Sequence, residues 1–149
     1  MSPTNKTCWE TPPELFDRFD RVFRFDLDVC AFPDSAKCRW FFTPSDDGLQ
    51  QPWAPRVCWM NPPYGRTIAA WLQKAWQESQ RGATVVALLP GDTSTRWWHD
   101  WVQGKAEVHP LEGRVRFVGA AGSPNFASVI AIYWPAGLWR GNTRKETTT

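Results

Sequence analysis

The segment TVVALLP, residues 84–90, restricts the fold more than any other part of the chain. It is uncharged, partly β-branched and bounded by Gly82 and Gly91, the pattern of a strand at the centre of a sheet that is covered on both faces. Before it, Ile68, Trp71, Leu72, Ala75 and Trp76 recur at helical spacing across residues 66–80, and Gly82 supplies a C-terminal breaker. RVCWM, residues 56–60, reads as a second buried strand. Strand, helix and strand with such apolar strands predict a right-handed parallel crossover and an α/β fold.

The flanks add further elements. TPPELFDRFDR, residues 11–21, reads as a helix, with Thr11 as N-cap, Pro12 or Pro13 in the first turn and Glu14 three residues after the threonine. Phe23, Phe25, Leu27 and Val29 alternate with Arg24, Asp26 and Asp28, which predicts a strand running out at residues 28–31. A short strand is expected at 38–42, ahead of a loop rich in Pro, Asp and Gly. Beyond Gly91, STRWWHDWV suggests a short helix, AEVHP and RVRFV suggest strands joined across Glu112 and Gly113, and ASVIAIYW suggests a last strand. The whole is expected to be one domain, 1–149, with flexible tails at 1–7 and 138–149.

Composition excludes several classes. With 42% apolar and 21% charged residues the chain has the make-up of a soluble globular protein, and no apolar run approaches the roughly 20 residues that span a bilayer. The start, MSPTNKTCWE, has no apolar core of a secretion signal, so a cytoplasmic protein is expected. Cys8, Cys30, Cys38 and Cys58 form no CxxC pair, and His99 and His109 are too far apart for a close zinc-ligand pair, so neither disulfides nor a metal are expected. A net charge of +2 does not by itself mark a nucleic-acid binder. The 11 tryptophans are accounted for by a small domain filling its core with large side chains.

The chemistry concentrates where RVCWM ends, in NPPYG at 61–65. In parallel α/β sheets ligands bind at the carboxyl ends of strands. An exocyclic amine of a nucleobase is a poor nucleophile because its lone pair is delocalised into the ring. Two acceptors aimed at its two N–H bonds favour a pyramidal nitrogen, and the Asn61 side-chain oxygen and the Pro62 carbonyl can be those acceptors. Pro62 and Pro63 fix the backbone and bring no competing N–H. Tyr64 offers a flat face to a base, and Gly65 lets the chain turn away.

NPPYG after a strand resembles the Asn/Asp-Pro-Pro-Tyr signature of S-adenosylmethionine-dependent amino-methyltransferases. The order TPPELFDRF, FDLDVCAFPDSAKCRWFFTPSDDGL, WMNPPYGR and VVALLPGDTSTRWWHD resembles in particular the phage-type DNA N6-adenine methyltransferases. The resemblance implies a compact Rossmann-like fold with a mainly parallel sheet, helices on both faces and a C-terminal antiparallel element. It implies S-adenosylmethionine as cofactor and DNA as substrate, in the host cytoplasm if the protein is viral. It also implies that Asp28, Cys30 and Ala31 form the first-strand loop beside the methyl donor, although the usual glycine-rich loop is here reduced to Cys30-Ala31. Asp46, slightly ahead of Asp47, is expected at the donor's adenine amine. Trp9, Thr11 and Pro12 are expected at its amino-acid end, where Thr11 serves equally well as a plain N-cap.

A base inside a duplex cannot reach such a pocket, so the target nucleotide is expected to be flipped out. Arg96, Trp97 and Trp98 either meet the nucleic acid or, for the tryptophans, pack on the core. Arg66, Lys74, Arg114, Arg116, Arg140, Arg144 and Lys145 are candidates for phosphate contacts. Only residues 91–128 are spare for target recognition, which suggests relaxed specificity or a homodimer. Two other expectations stand beside this one: methylation of cytosine N4 by the same pocket, and a catalytically idle binding module of the same fold.

Overall fold

The computed structural model describes residues 9–119 and 126–139. The expected central strand is β4, Thr84–Pro90 in the order of strands along the chain, and every one of Val85 to Leu89 is buried. It follows α1 (Pro13–Phe23), β1 (Leu27–Asp28), β2 (Trp40–Phe41), a 3-10 turn (Gly48–Gln50), β3 (Val57–Met60) and α2 (Ile68–Gln80). After it come α3 (Arg96–Trp101), β5 (Glu107–Pro110) and β6 (Ser128–Tyr133). The six strands form one sheet in the order β2-β1-β3-β4-β6-β5. Pairing is parallel from β2 through β4 and antiparallel on both sides of β6.

Alternation along the central strands sends side chains into two cores. Cys58, Met60, Val85, Ala87 and Leu89 pack with Ile68, Leu72 and Ala75 of α2. Trp59, Val86, Leu88, Ile130 and Ile132 pack with Phe16 of α1 on the opposite face. Helices therefore cover both faces, and the sheet is an α/β sheet with an antiparallel C-terminal part. Trp59 meets Phe16 edge-on, with ring centroids 5.3 Å apart, an arrangement worth about 0.5–1.5 kcal/mol beyond burial. Gly82, at φ +116, turns the chain out of α2 into β4 in a conformation that strains any side chain with a Cβ.

Several expected boundaries move, each for a local reason. The N-cap of α1 is Pro12, which makes no side-chain cap bond, and the Thr11 hydroxyl is spent elsewhere. The alternating run 23–29 is a strand only at Leu27–Asp28: α1 continues to Phe23, Arg24 closes it in the left-handed region, and Asp20 Oδ1 accepts from the Phe25 N–H. Phe23, the last residue of α1, and Phe25 stack on each other at 5.7 Å. The strand expected at 38–42 is Trp40–Phe41, and α2 begins at Ile68.

The largest difference concerns RVRFV, which is not the partner of AEVHP. β5 pairs with β6 from Glu107↔Ile132 to Pro110↔Val129, and within 114–118 only Val118 forms a bridge, to Glu10. Val115 and Phe117 are nonetheless buried and Arg114 and Arg116 exposed. Alternation reported which side chains face the core and was silent on which strand supplies the hydrogen bonds.

Candidate active site at the strand ends

β1 leads to β2 on one side while β3 lies on its other side, so the strand order reverses between β1 and β3. That gap at the carboxyl ends is where a parallel α/β sheet opens a crevice. A cleft of about 1050 Å³ lies there, with Asp28, Trp59, Asn61 and Pro63 along the strand ends and Trp9 and Thr11 on the segment before α1. Its size matches the upper end of small-molecule sites, about 300–1,000 Å³.

Asn61 is fixed by the N-terminal segment. Its Nδ2 donates to the Trp9 carbonyl and to Thr11 Oγ1, the latter at 3.0 Å. Both amide hydrogens are thereby used, which assigns the orientation of the side chain. Its Oδ1 is buried and accepts no hydrogen bond from any described residue. An unpartnered buried acceptor costs about 1–3 kcal/mol, which singles out this oxygen among the polar atoms of the site. The Trp9 ring packs against Phe117 and Phe126, at 5.4 and 5.6 Å, which steadies the carbonyl that holds Asn61.

The rest of NPPYG supports this oxygen. Pro62 is buried, Pro63 half-buried, and no other described residue donates a backbone hydrogen bond to the Pro62 carbonyl. Tyr64 is only 8% exposed: its hydroxyl donates to the Leu88 carbonyl at 3.1 Å and its ring meets Phe126 edge-on. Burial pushes its phenol pKa well up, so it stays neutral. The ring is part of the core and does not line the cleft.

Asp28 ends β1 at the cleft and is only 3% exposed. Its carboxylate accepts from the backbone N–H groups of Cys30 at 3.3 Å and Lys37 at 3.0 Å. Burial nevertheless wins, raising its pKa from 3.8 to about 6. Cys30 and Ala31 turn past it into a second hollow of about 170 Å³, which shares Cys30, Phe32 and Pro63 with the cleft. Asp47, Gly48 and Trp71 complete that hollow. A Cβ on Gly48 would sit 2.4 Å from the Val29 carbonyl, so only glycine lets the two loops approach. Asp46, expected ahead of Asp47, is turned away: its carboxylate accepts from the Thr43 N–H at 2.8 Å and closes its own loop. Pro12 is buried behind Thr11 and is absent from the residues that line the cleft.

The chain matches the family DNA N-6-adenine-methyltransferase (Dam) over residues 2–135. It belongs to that family. It is 36% identical over 118 residues to the DNA N-6-adenine-methyltransferase of Haemophilus phage HP1, an alignment covering 77% of this chain and 68% of the relative. The protein of the same description from Escherichia phage T1 is 30% identical over 109 residues, covering 72% of this chain and 45% of the relative. The match to the Dam family takes in both walls of the cleft, from Trp9 to Val118.

Outside the cleft this Dam-family methyltransferase presents Arg66, Arg96, Arg114 and Arg116 as exposed side chains. Trp97 is half-buried, whereas Trp98 is 7% exposed and sits in the core. Lys74, expected at phosphate, is taken by Glu78: its ammonium lies 2.9 Å from that buried carboxylate, which also accepts from the Trp53 and Ala54 N–H groups. Arg140, Arg144 and Lys145, and most of the expected tails, lie outside the described residues. No helix among the described residues is long and apolar enough to cross a membrane.

Sequence reasoning missed Glu10, Phe32 and Lys37, all of which line the cleft. The available signal was their nearness to Thr11 and Asp28. A charge in an irregular loop does not reveal whether it faces water or a ligand.

Proposed function

We propose that this Dam-family enzyme transfers a methyl group from S-adenosylmethionine to the N6 amine of an adenine flipped out of DNA, by direct in-line transfer. The orphaned Oδ1 of Asn61 carries the proposal, because it is a buried acceptor whose orientation Trp9 and Thr11 hold. When bound, S-adenosylmethionine supplies an electrophilic methyl on a sulfonium.

Asn61 Oδ1 accepts one hydrogen of the amine and the Pro62 carbonyl the other, so electron density returns to the nitrogen as positive charge develops there. Fixed acceptors need no reorganisation at that moment, and the locked Pro62-Pro63 backbone keeps them fixed. With Tyr64 in the core, its part is to tie the NPPYG turn to β4 through the Leu88 carbonyl. Of the three aromatic rings that line the cleft, Trp59 is fully buried, which leaves Trp9 and the 41%-exposed Phe32 for a base to stack on, for about 1–3 kcal/mol. Asp28 receives the ammonium of the donor, and Asp47 in the smaller hollow receives its adenine amine.

Cys38 and Cys58 are unsuited to covalent chemistry at cytosine C5. Burial raises the Cys38 pKa to about 12 and that of Cys58 further still, which is the wrong direction for a nucleophile. The exposed arginines Arg66, Arg96, Arg114 and Arg116, with Trp97, are offered to DNA. Incubation with labelled S-adenosylmethionine and unmethylated DNA, followed by mass spectrometry of the nucleosides, should give N6-methyladenine. N4-methylcytosine as the product would replace the acceptor, and no labelled nucleoside at all would leave the fold without the activity.

A further inference from the structure

Lys37 has a charge for which the chemistry of Asn61 provides no task. It lines the cleft, and its side chain is 14% exposed. The carboxylate nearest its ammonium is Glu10, at 3.9 Å, beyond hydrogen-bonding distance. It is the one basic side chain among the described residues that line the cleft. A largely buried ammonium compensated only by this long ion pair and by the more distant charge of Asp28 still has its hydrogen-bond donors open, whereas one that also meets a ligand anion does not. Its backbone is anchored as well, through the bond from the Lys37 N–H to Asp28 Oδ2 at 3.0 Å. One wall of the cleft thus sets a cation beside a carboxylate.

The other candidate for an anion, the start of α1, has few donors left. Pro12 is its N-cap and Pro13 its first residue, and neither has an N–H. The N–H groups of Leu15 and Phe16 both go to the Pro12 carbonyl, at 3.1 and 3.2 Å. That leaves at most the N–H of Glu14, whose own carboxylate repels an anion. The Thr11 hydroxyl accepts from Asn61 Nδ2, so a single neutral O–H is what that segment adds to the Glu14 N–H, and it carries no charge to match an anion.

We propose that Lys37 binds the carboxylate of the methyl donor's amino-acid tail, so that Lys37 and Asp28 together read a zwitterion. The inference rests on the proposed use of S-adenosylmethionine. Glu10 holds the ammonium loosely until the carboxylate replaces it.

Calorimetry with S-adenosylmethionine and with its decarboxylated analogue tests this, since the two ligands differ only in the group at issue. The unmodified enzyme should prefer the carboxylated ligand by about 10- to 100-fold, the worth of one charge-assisted hydrogen bond. Lys37→Met should remove that preference by weakening S-adenosylmethionine alone, and Lys37→Arg should keep most of it. Glu10→Gln should leave the preference intact, although a merely structural Lys37–Glu10 pair would make it behave like Lys37→Met. Equal affinity of the unmodified enzyme for both ligands, or an equal loss for both in Lys37→Met, would overturn the assignment. If Lys37→Met does not fold, the ratio in the unmodified enzyme and in Lys37→Arg still decides. Failure of the unmodified enzyme to bind either ligand would remove the methyl-donor proposal itself, a distinguishable result.

Discussion

The two halves of the sheet are built differently. β4 and β6 pair across six positions, Val85↔Tyr133 to Pro90↔Ser128, and every residue of β6 is buried. β1 and β2 contribute two residues each, and β1 stops at the buried Asp28. Long, fully paired strands satisfy their own backbone and bury apolar side chains, so they stabilise the fold and leave little for a ligand. β1 ends early and hands its last side chain, Asp28, to the cleft. Among the described residues, the two buried side-chain atoms without partners, Asn61 Oδ1 and Ser128 Oγ, lie on the same edge. β6 runs against β4, so its first residue stands beside the last residue of β4. Polar groups are left unfinished along the edge where the cleft opens.

That contrast can be broken by substitution. Asn61→Ala should lower the methylation rate by at least about 10²–10³-fold, while affinity for S-adenosylmethionine and the thermal midpoint change little. Single-turnover kinetics beside calorimetry measure both, and persisting turnover would dissolve the distinction. Ile130→Ala, in the paired half, should do the reverse: about 2–5 kcal/mol of lost stability in denaturant unfolding, with normal turnover per folded molecule.

Asp28 joins the two halves of the argument through pH. Its folded pKa is raised from 3.8 to about 6, chiefly by burial, so its contribution to stability is fully present below 3.8 and is lost as pH rises through about 6. The ionised form is the one that attracts an ammonium. Affinity for S-adenosylmethionine should therefore rise about tenfold per pH unit below about 6 and level off above it. A flat profile from pH 5 to 8 would detach Asp28 from the donor. The smallest effect is expected for Tyr64→Phe, which removes the bond to the Leu88 carbonyl at about 1 kcal/mol and leaves the rate near normal. A large rate loss with unchanged stability would move Tyr64 from the core side to the catalytic side.

Much of this was legible in the chain. TVVALLP fixed a central strand because a run without charge between two glycines has no solvent-facing option, and NPPYG pointed to the candidate site because its residue types suit few other tasks. Local patterns did less well where the partner lay far away in sequence. RVRFV alternates as a strand does, yet the ladder of β5 is completed by β6, since burial periodicity carries no information about hydrogen-bond partners. Lys74 looked available until α2 placed it beside Glu78.

The sequence by itself determined the strand–helix–strand unit, the acceptor motif at its end and the family resemblance, because these depend on residues close together in the chain. Only the tertiary structure decided which way Asn61 points, which aspartate of the 46–47 pair faces the hollow, that Tyr64 belongs to the core and that Lys37 belongs to the cleft. Each of those depends on atoms brought together from distant segments, such as Trp9 and Thr11 meeting Asn61. Burial and hydrogen-bond partners are properties of that meeting and not of any residue alone.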